Sequence, residues 1–179
     1  MEALIAVFIF LIINLAIFQI QLQGSRIFQL VSTQSDLRYR AHLAMNFMVN
    51  ELRQTTRASS GTPPNLTIPP KPNNQAIDFY FPQDLDGNGS IVDALGNTEW
   101  DVNNKIEYQY DLNLKRLQRL ENGIQYIIAN DVAAIEFEDS SINPILYNNE
   151  LKIILTLTKN APHNRLISVT LTSRVKLRN

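Results

Sequence analysis

One short segment, residues 84–93, carries oxygen-bearing side chains at alternate positions, as a calcium-binding loop does. Gly89 stands where the loop of an EF-hand makes its sharp turn, and Ile91 stands where such a loop is anchored to its domain. Hard oxygen donors favour calcium over zinc or copper. The oxygen ligands predicted from this spacing are Asp84, Asp86, Asn88 (side chains), Ser90 (backbone carbonyl) and Asp93.

The end of this segment departs from the calcium-loop pattern. Position twelve is Leu95, where a bidentate glutamate is expected, so Asp93, Glu99 or Asp101 would have to complete the ligand shell. Aspartate, asparagine and glycine also favour polar turns without any metal. Both interpretations, a Ca²⁺ site and a polar turn, stay open at the level of the sequence.

Other kinds of chemistry find little support in the 179 residues. The chain has no cysteine, which excludes thiolate chemistry, and its two histidines are far apart without the spacing of an HExxH metal motif. No serine lies in a Gly-x-Ser-x-Gly context. A net charge of −1 disfavours nucleic acid as a partner. We therefore expect no enzymatic activity and no nucleic-acid binding.

The N-terminus combines an acid with a long apolar run. Glu2 precedes residues 3–18, which are apolar except for Asn14, and no Lys or Arg occurs before Arg26. An ionised carboxylate in an apolar setting costs several kcal/mol unless it is paired. We therefore expect Glu2 to find its partner on another molecule. Asn14 is predicted to hydrogen-bond between helices.

The apolar run has about the minimum length of a membrane-spanning helix. A cleaved signal peptide would begin with basic residues and end at a small-residue site, a pattern that this chain lacks. Beyond Gly24 an amphipathic stripe follows at helical spacing, which predicts one helix to about residue 58, with a bend or a melted turn at Gly24. The stripe consists of Leu37, Ala41, Ala44, Met48 and Leu52.

A proline-rich loop is predicted over residues 59–74, and alternating apolar residues after it predict antiparallel strands. Asn122-Gly123 between two such strands predicts a type I′ hairpin. The fold class is therefore α+β, a long N-terminal helix packed on an antiparallel sheet domain. Its divisions are residues 1–23 (transmembrane helix), 24–58 (amphipathic half) and 59–179 (β-rich domain).

The sequence of residues 1–7, Met-Glu-Ala-Leu-Ile-Ala-Val, resembles the N-terminal helix of type IV pilins and type II secretion pseudopilins. The closing Leu177-Arg178-Asn179 is similar to the end of W-type minor pilins and J-type minor pseudopilins. The resemblance implies that Glu2 is the fifth residue of a mature, N-terminally methylated chain, and that residues 1–23 are the polymerisation helix as well as the transmembrane helix. A leader ending in glycine, and three mature residues, are then expected ahead of Met1.

The resemblance also implies a function. The chain would be a minor pilin or minor pseudopilin of the bacterial inner membrane, with its globular domain in the periplasm or outside the cell. Its partners would be other minor subunits, the major subunit, the inner-membrane assembly platform, the prepilin peptidase and membrane lipid. The alternative is a single-pass membrane-anchored adhesin or calcium-dependent binding module that does not polymerise. Pilus, secretion and DNA-uptake systems are not distinguished.

Overall fold

The computed structural model describes residues 2–55, 66–95 and 98–177, with the side chains of residues 2–4 and His163 left out. Within these ranges the α+β class is confirmed. Helix α1, Glu2–Leu52, is 51 residues long. It runs through Gly24 without a break, so the predicted melted turn is wrong. The end predicted at residue 58 lies outside the described residues.

Helix α1 ends in a cap made by its own chain. The backbone N–H of Gln54 donates to the carbonyl of Glu51 at 3.0 Å, and the backbone N–H of Thr55 donates to the carbonyl of Leu52 at 3.2 Å. The buried hydroxyl of Thr55 donates to the same Leu52 carbonyl at 3.0 Å. These bonds satisfy carbonyl groups that a helix end otherwise leaves unpaired.

Five strands form the first sheet, and every neighbouring pair is antiparallel. In spatial order they are β1 (Leu66–Thr67), β2 (Ile77–Phe79), β3 (Ile106–Asp111), β4 (Arg116–Glu121) and β5 (Ile124–Ala129). Strand β1 lies inside the loop predicted over residues 59–74, so the prediction of a loop is wrong for these two residues. The predicted hairpin joins β4 to β5, with φ of 50° at Asn122 and 77° at Gly123. A type I′ turn requires positive φ at both central residues.

Three strands form a second antiparallel sheet, a division that the sequence analysis did not predict. They are β6 (Val132–Glu138), β7 (Glu150–Ala161) and β8 (Arg165–Lys176), in that spatial order. A single 3₁₀ turn, Pro162–Asn164, connects the two long strands β7 and β8. Two backbone hydrogen bonds link strand ends across the chain, Val132 to Lys115 at 2.9 Å and Thr158 to Asp131 at 2.7 Å.

Helix α1 packs on β7 and β8 and closes one hydrophobic core with both sheets. The predicted helix stripe is confirmed, since each of its five residues is at most 1% exposed. Alternate residues of β7 face the same core and are completely buried, namely Leu151, Ile153, Leu155 and Leu157. On the first sheet Phe79 and Tyr108 are also fully buried, with ring centroids 5.5 Å apart.

Candidate functional site

The first half of α1 is the most exposed apolar surface of the described chain. Its large side chains lie far from the core, with exposed fractions from 43% at Leu22 to 69% at Ile20. The helix is long and apolar enough to cross a membrane, and none of its most apolar 18-residue window is buried. Such a surface is unfavourable in water, so lipid or another apolar helix is its natural environment.

The two predicted assembly residues lie on this half of the helix. Glu2 is the first residue of α1, but its side chain lies outside the described part, so its role stays a prediction. The Asn14 amide donates to the carbonyl of Phe10, one turn back, at 2.8 Å. That bond uses one of its two N–H groups, so a bond to another helix through Asn14 also stays a prediction.

The other half of α1 is fixed to the first sheet by a buried ionic cluster that sequence analysis missed. One oxygen of Glu51 accepts hydrogen bonds from Arg119 Nε at 3.0 Å and from the Tyr108 hydroxyl. Arg119 also donates to Glu121 at 2.5 Å, and its guanidinium lies 5.9 Å from the centre of the Tyr126 ring. The side chains of Arg119 and Glu51 are only 9% and 16% exposed. The cluster therefore sets the position of the helix relative to β3 and β4.

The electrostatics of the cluster follow from its burial and its charges. Burial raises the pKa of Tyr108, and the hydrogen bond to Glu51 raises it further, so the phenol stays protonated. Burial disfavours the charge on Arg119, but its bonds to Glu121 and Glu51 outweigh that effect and raise its pKa. One feature of the sequence could have predicted the burial of Arg119. It follows the apolar Leu117 by two positions in β4, so both side chains lie on the same face of the strand, and both are buried.

The predicted calcium loop projects from the first sheet between two backbone bridges, Pro82 to Trp100 and Val92 to Thr98. The Asp84 carboxylate lies at its centre and accepts three backbone N–H groups, from Gly87 at 2.7 Å, Asn88 at 3.2 Å and Gly89 at 2.8 Å. The bond from Gly89 is the main reason why the pKa of Asp84 is lowered. The carboxylate is therefore ionised at neutral pH.

The turn around Asp84 depends on glycine. Gly87 and Gly89 have φ of 73° and 82°, a left-handed region that other residues rarely adopt. Asp86 accepts the Asn88 backbone N–H at 3.0 Å and its side-chain amide at 2.8 Å. The Ser90 backbone N–H donates to the Asn88 side chain at 2.7 Å. The predicted ligands from 84 to 90 are thus gathered in one turn.

Glu99 is the acid that the fold adds to this turn. Carboxylate oxygens of Asp84, Asp86 and Glu99 all lie within 4.8 Å of one another. Glu99 also accepts the Leu85 N–H at 2.6 Å, which holds it over the loop. Asp93 is not among these three clustered acids, and it accepts the Leu95 N–H at 2.8 Å. Three clustered carboxylates, with the Asn88 side-chain oxygen in the same turn, are donors that suit calcium.

A second ionic cluster lies where β6 ends and β7 begins. Glu138 is 6% exposed and accepts hydrogen bonds from Lys71 at 2.8 Å, Asn143 at 2.9 Å and Lys152 at 3.0 Å. The bonds from Lys71 and Asn143 lower the pKa of Glu138 to about 2. This cluster stabilises the fold, because it ties the segment before β2 to β6 and β7.

No protein-family model, curated protein or solved structure matches the chain. A functional assignment therefore depends on the residues and their geometry. The architecture, a long N-terminal apolar helix packed on antiparallel β-sheets, is compatible with a pilin-like arrangement.

Proposed function

We propose that the chain is a minor pilin or minor pseudopilin, a structural subunit that primes or enters a type IV pilus-like filament. The observation that carries the proposal is the division of one unbroken helix into two halves. The large apolar side chains of residues 5–28 are 43–74% exposed, whereas from residue 37 to residue 52 one face of the helix, with Leu37, Met48 and Leu52 fully buried, packs into the core of the domain. A subunit that passes from a bilayer into a helical filament needs this arrangement.

The same apolar surface serves both environments. Lipid tails and the helices of neighbouring subunits are similarly apolar, so α1 can leave one for the other at little cost in hydrophobic energy. The Glu51–Arg119 contact at 3.0 Å supports the proposal, because it fixes the domain to the helix and would carry the helix orientation to the filament surface. Membrane anchoring would place the β-rich domain in the periplasm or outside the cell.

The role of Glu2 is to pair with an amine on the adjacent subunit. A carboxylate brought into an apolar filament core pays a desolvation cost that an opposite charge offsets. Because the pairing works at one axial offset between subunits, it would select the correct register. The other proposed partners are the remaining minor subunits, the major subunit, the assembly platform and the prepilin peptidase.

The test is the variant Glu2→Ala in the full chain, with filament formation and membrane insertion both measured. We expect a stable membrane protein that does not support filament formation or secretion. Glu2→Gln should fail in the same way, because an amide cannot neutralise an amine. Glu107→Gln, which changes a partly exposed acid on β3 that lies 3.6 Å from Lys105, is the control and should assemble normally. Filaments or secretion at the unmodified level in Glu2→Ala would refute the proposed role.

The second candidate function is a membrane-anchored, calcium-dependent binding module that does not polymerise. The cluster of Asp84, Asp86 and Glu99 within 4.8 Å favours it. Calcium would neutralise these acids and rigidify the projecting loop, with Asn88 and Ser90 as further oxygen donors. Recovery of the full chain from sheared filaments supports the pilin, whereas a chain found only in membranes supports the module.

A further inference from the structure

A cavity of about 310 Å³ lies where the helix first meets the globular domain. Arg26 and Leu30 of α1 line one side, and Pro162 and Arg165, at the turn between β7 and β8, line the other. The two arginines are 139 positions apart in sequence, and the fold alone brings them to one opening. The volume is at the lower end of the range of roughly 300–1,000 Å³ that is usual for small-molecule sites.

The positive charges of this cavity are not neutralised by the described part of the chain. Among the described residues, neither Arg26 nor Arg165 has a carboxylate within 4.0 Å. Within the same part of the chain, the ion pairs that involve α1 are Arg40–Asp36, Arg40–Asp131, Lys159–Asp36 and Arg119–Glu51. The first acid after Glu2 is Asp36, which already pairs with Arg40 at 3.0 Å and Lys159 at 3.6 Å. Two guanidinium groups on one cavity favour an anion, and their planar N–H groups suit phosphate oxygens.

The place of the cavity along the helix identifies the source of that anion. The apolar run, residues 3–18, covers about 24 Å of helix, close to the roughly 30 Å of a bilayer core. Arg26 follows Phe18 by about 12 Å, which places it at the depth of the lipid headgroups, since a bilayer with its headgroups is about 40–45 Å thick. Apolar side chains beside the arginines are exposed there, Phe28 to 74% and Leu166 to 64%. Apolar groups with neighbouring arginines are typical of a membrane interface.

We infer that this cavity binds the phosphate headgroup of an anionic phospholipid. The inference rests on the proposed membrane insertion of α1. Both guanidiniums would donate to one headgroup phosphate, while Leu30 and Pro162 would contact the glycerol region. Because one arginine belongs to the helix and the other to the domain, the bound lipid fixes both at the membrane surface before assembly. The bound lipid therefore sets the depth and the rotation of α1 in the bilayer before the subunit assembles.

The experiment uses the full chain in nanodiscs of equal parts phosphatidylglycerol and phosphatidylcholine. Native mass spectrometry counts which lipid stays bound when the protein is released. Near an anionic surface each basic residue strengthens binding about five-fold, so Arg26→Gln with Arg165→Gln should lower the bound ratio of phosphatidylglycerol to phosphatidylcholine about 30-fold. The control is Arg38→Gln with Arg174→Gln, which removes one exposed arginine from the same helix and one from the same strand; the ratio should not change.

Each outcome decides between specific explanations. Arg26→Lys with Arg165→Lys keeps both charges, so this variant should retain most of the preference, and it covers the case in which the glutamine variant does not fold. Inorganic phosphate added to phosphatidylcholine nanodiscs should not bind. The lipid site is refuted if inorganic phosphate binds in the cavity and displaces the phospholipid. It is also refuted if Arg26→Gln with Arg165→Gln keeps the wild-type ratio of phosphatidylglycerol to phosphatidylcholine. If the chain does not enter nanodiscs at all, the membrane-anchored function itself fails.

Discussion

Removing the carboxylate of Glu51 should loosen the attachment of α1 to the first sheet. In Glu51→Ala, Arg119 loses one of its two ionic hydrogen bonds but keeps Glu121 at 2.5 Å. The fully buried Tyr108 also loses the acceptor of its hydroxyl. A hydrogen bond to a charged group contributes about 1.5–3 kcal/mol, and an unsatisfied buried hydroxyl costs about 1–3 kcal/mol. Because water can reach part of this site, we expect a total loss of about 2–4 kcal/mol.

The assay is urea unfolding of the full chain in detergent, followed by circular dichroism. Asn50→Ala changes the neighbouring, exposed residue of the same helix and should stay within about 0.5 kcal/mol of the unmodified chain. Arg119→Met leaves two carboxylates without their shared cation and should cost about 3–5 kcal/mol.

The double variant Glu51→Ala, Arg119→Met tests the coupling directly. Residues in one ionic network do not contribute independently, so its loss should be smaller than the sum of the two single losses by about 1 kcal/mol or more. Additive losses, or a loss below about 0.5 kcal/mol in Glu51→Ala, would refute the conclusion that this cluster holds the helix on the sheet.

Two further predictions concern the loop and the second ionic cluster. Calcium at about ten times its dissociation constant, itself roughly 0.1–1 mM, should raise the melting temperature by about 3–6 °C. Glu99→Gln should abolish this rise and Asp93→Asn should preserve it; identical melting with calcium and with chelator would favour the polar turn. The pKa of Glu138 is about 2 when folded, against an ordinary value of 4.5, so its stabilisation is complete above pH 4.5 and is lost as the pH falls towards 2. In urea unfolding, the free energy of unfolding should fall less between pH 7 and pH 3 in Glu138→Gln than in the unmodified chain, by about 2–3 kcal/mol. An unchanged pH dependence would contradict this assignment.

Several features of the fold follow from neighbouring residues alone. The stripe from Leu37 to Leu52 predicts a packed helix face, because helical spacing places those side chains on one side wherever the helix lies. Asn122-Gly123 predicts its turn, because both residues tolerate the positive φ that it requires. The apolar run before Gly24 likewise predicts a surface that needs a nonaqueous environment. Each of these signals is contained in a few consecutive residues.

Other features depend on which distant segments meet. The two-residue strand β1 has no periodicity of its own and exists because Leu66 pairs with Phe79. Glu51 and Arg119 are 68 positions apart, and neither carries a local sign of its partner. The sequence offers three acids to complete the loop, Asp93, Glu99 and Asp101; the bridge of Val92 to Thr98 brings Glu99 back over Asp84. Periodicity in a sequence determines which face of an element is apolar, whereas strand pairing and charge pairing are decided only when the whole core closes.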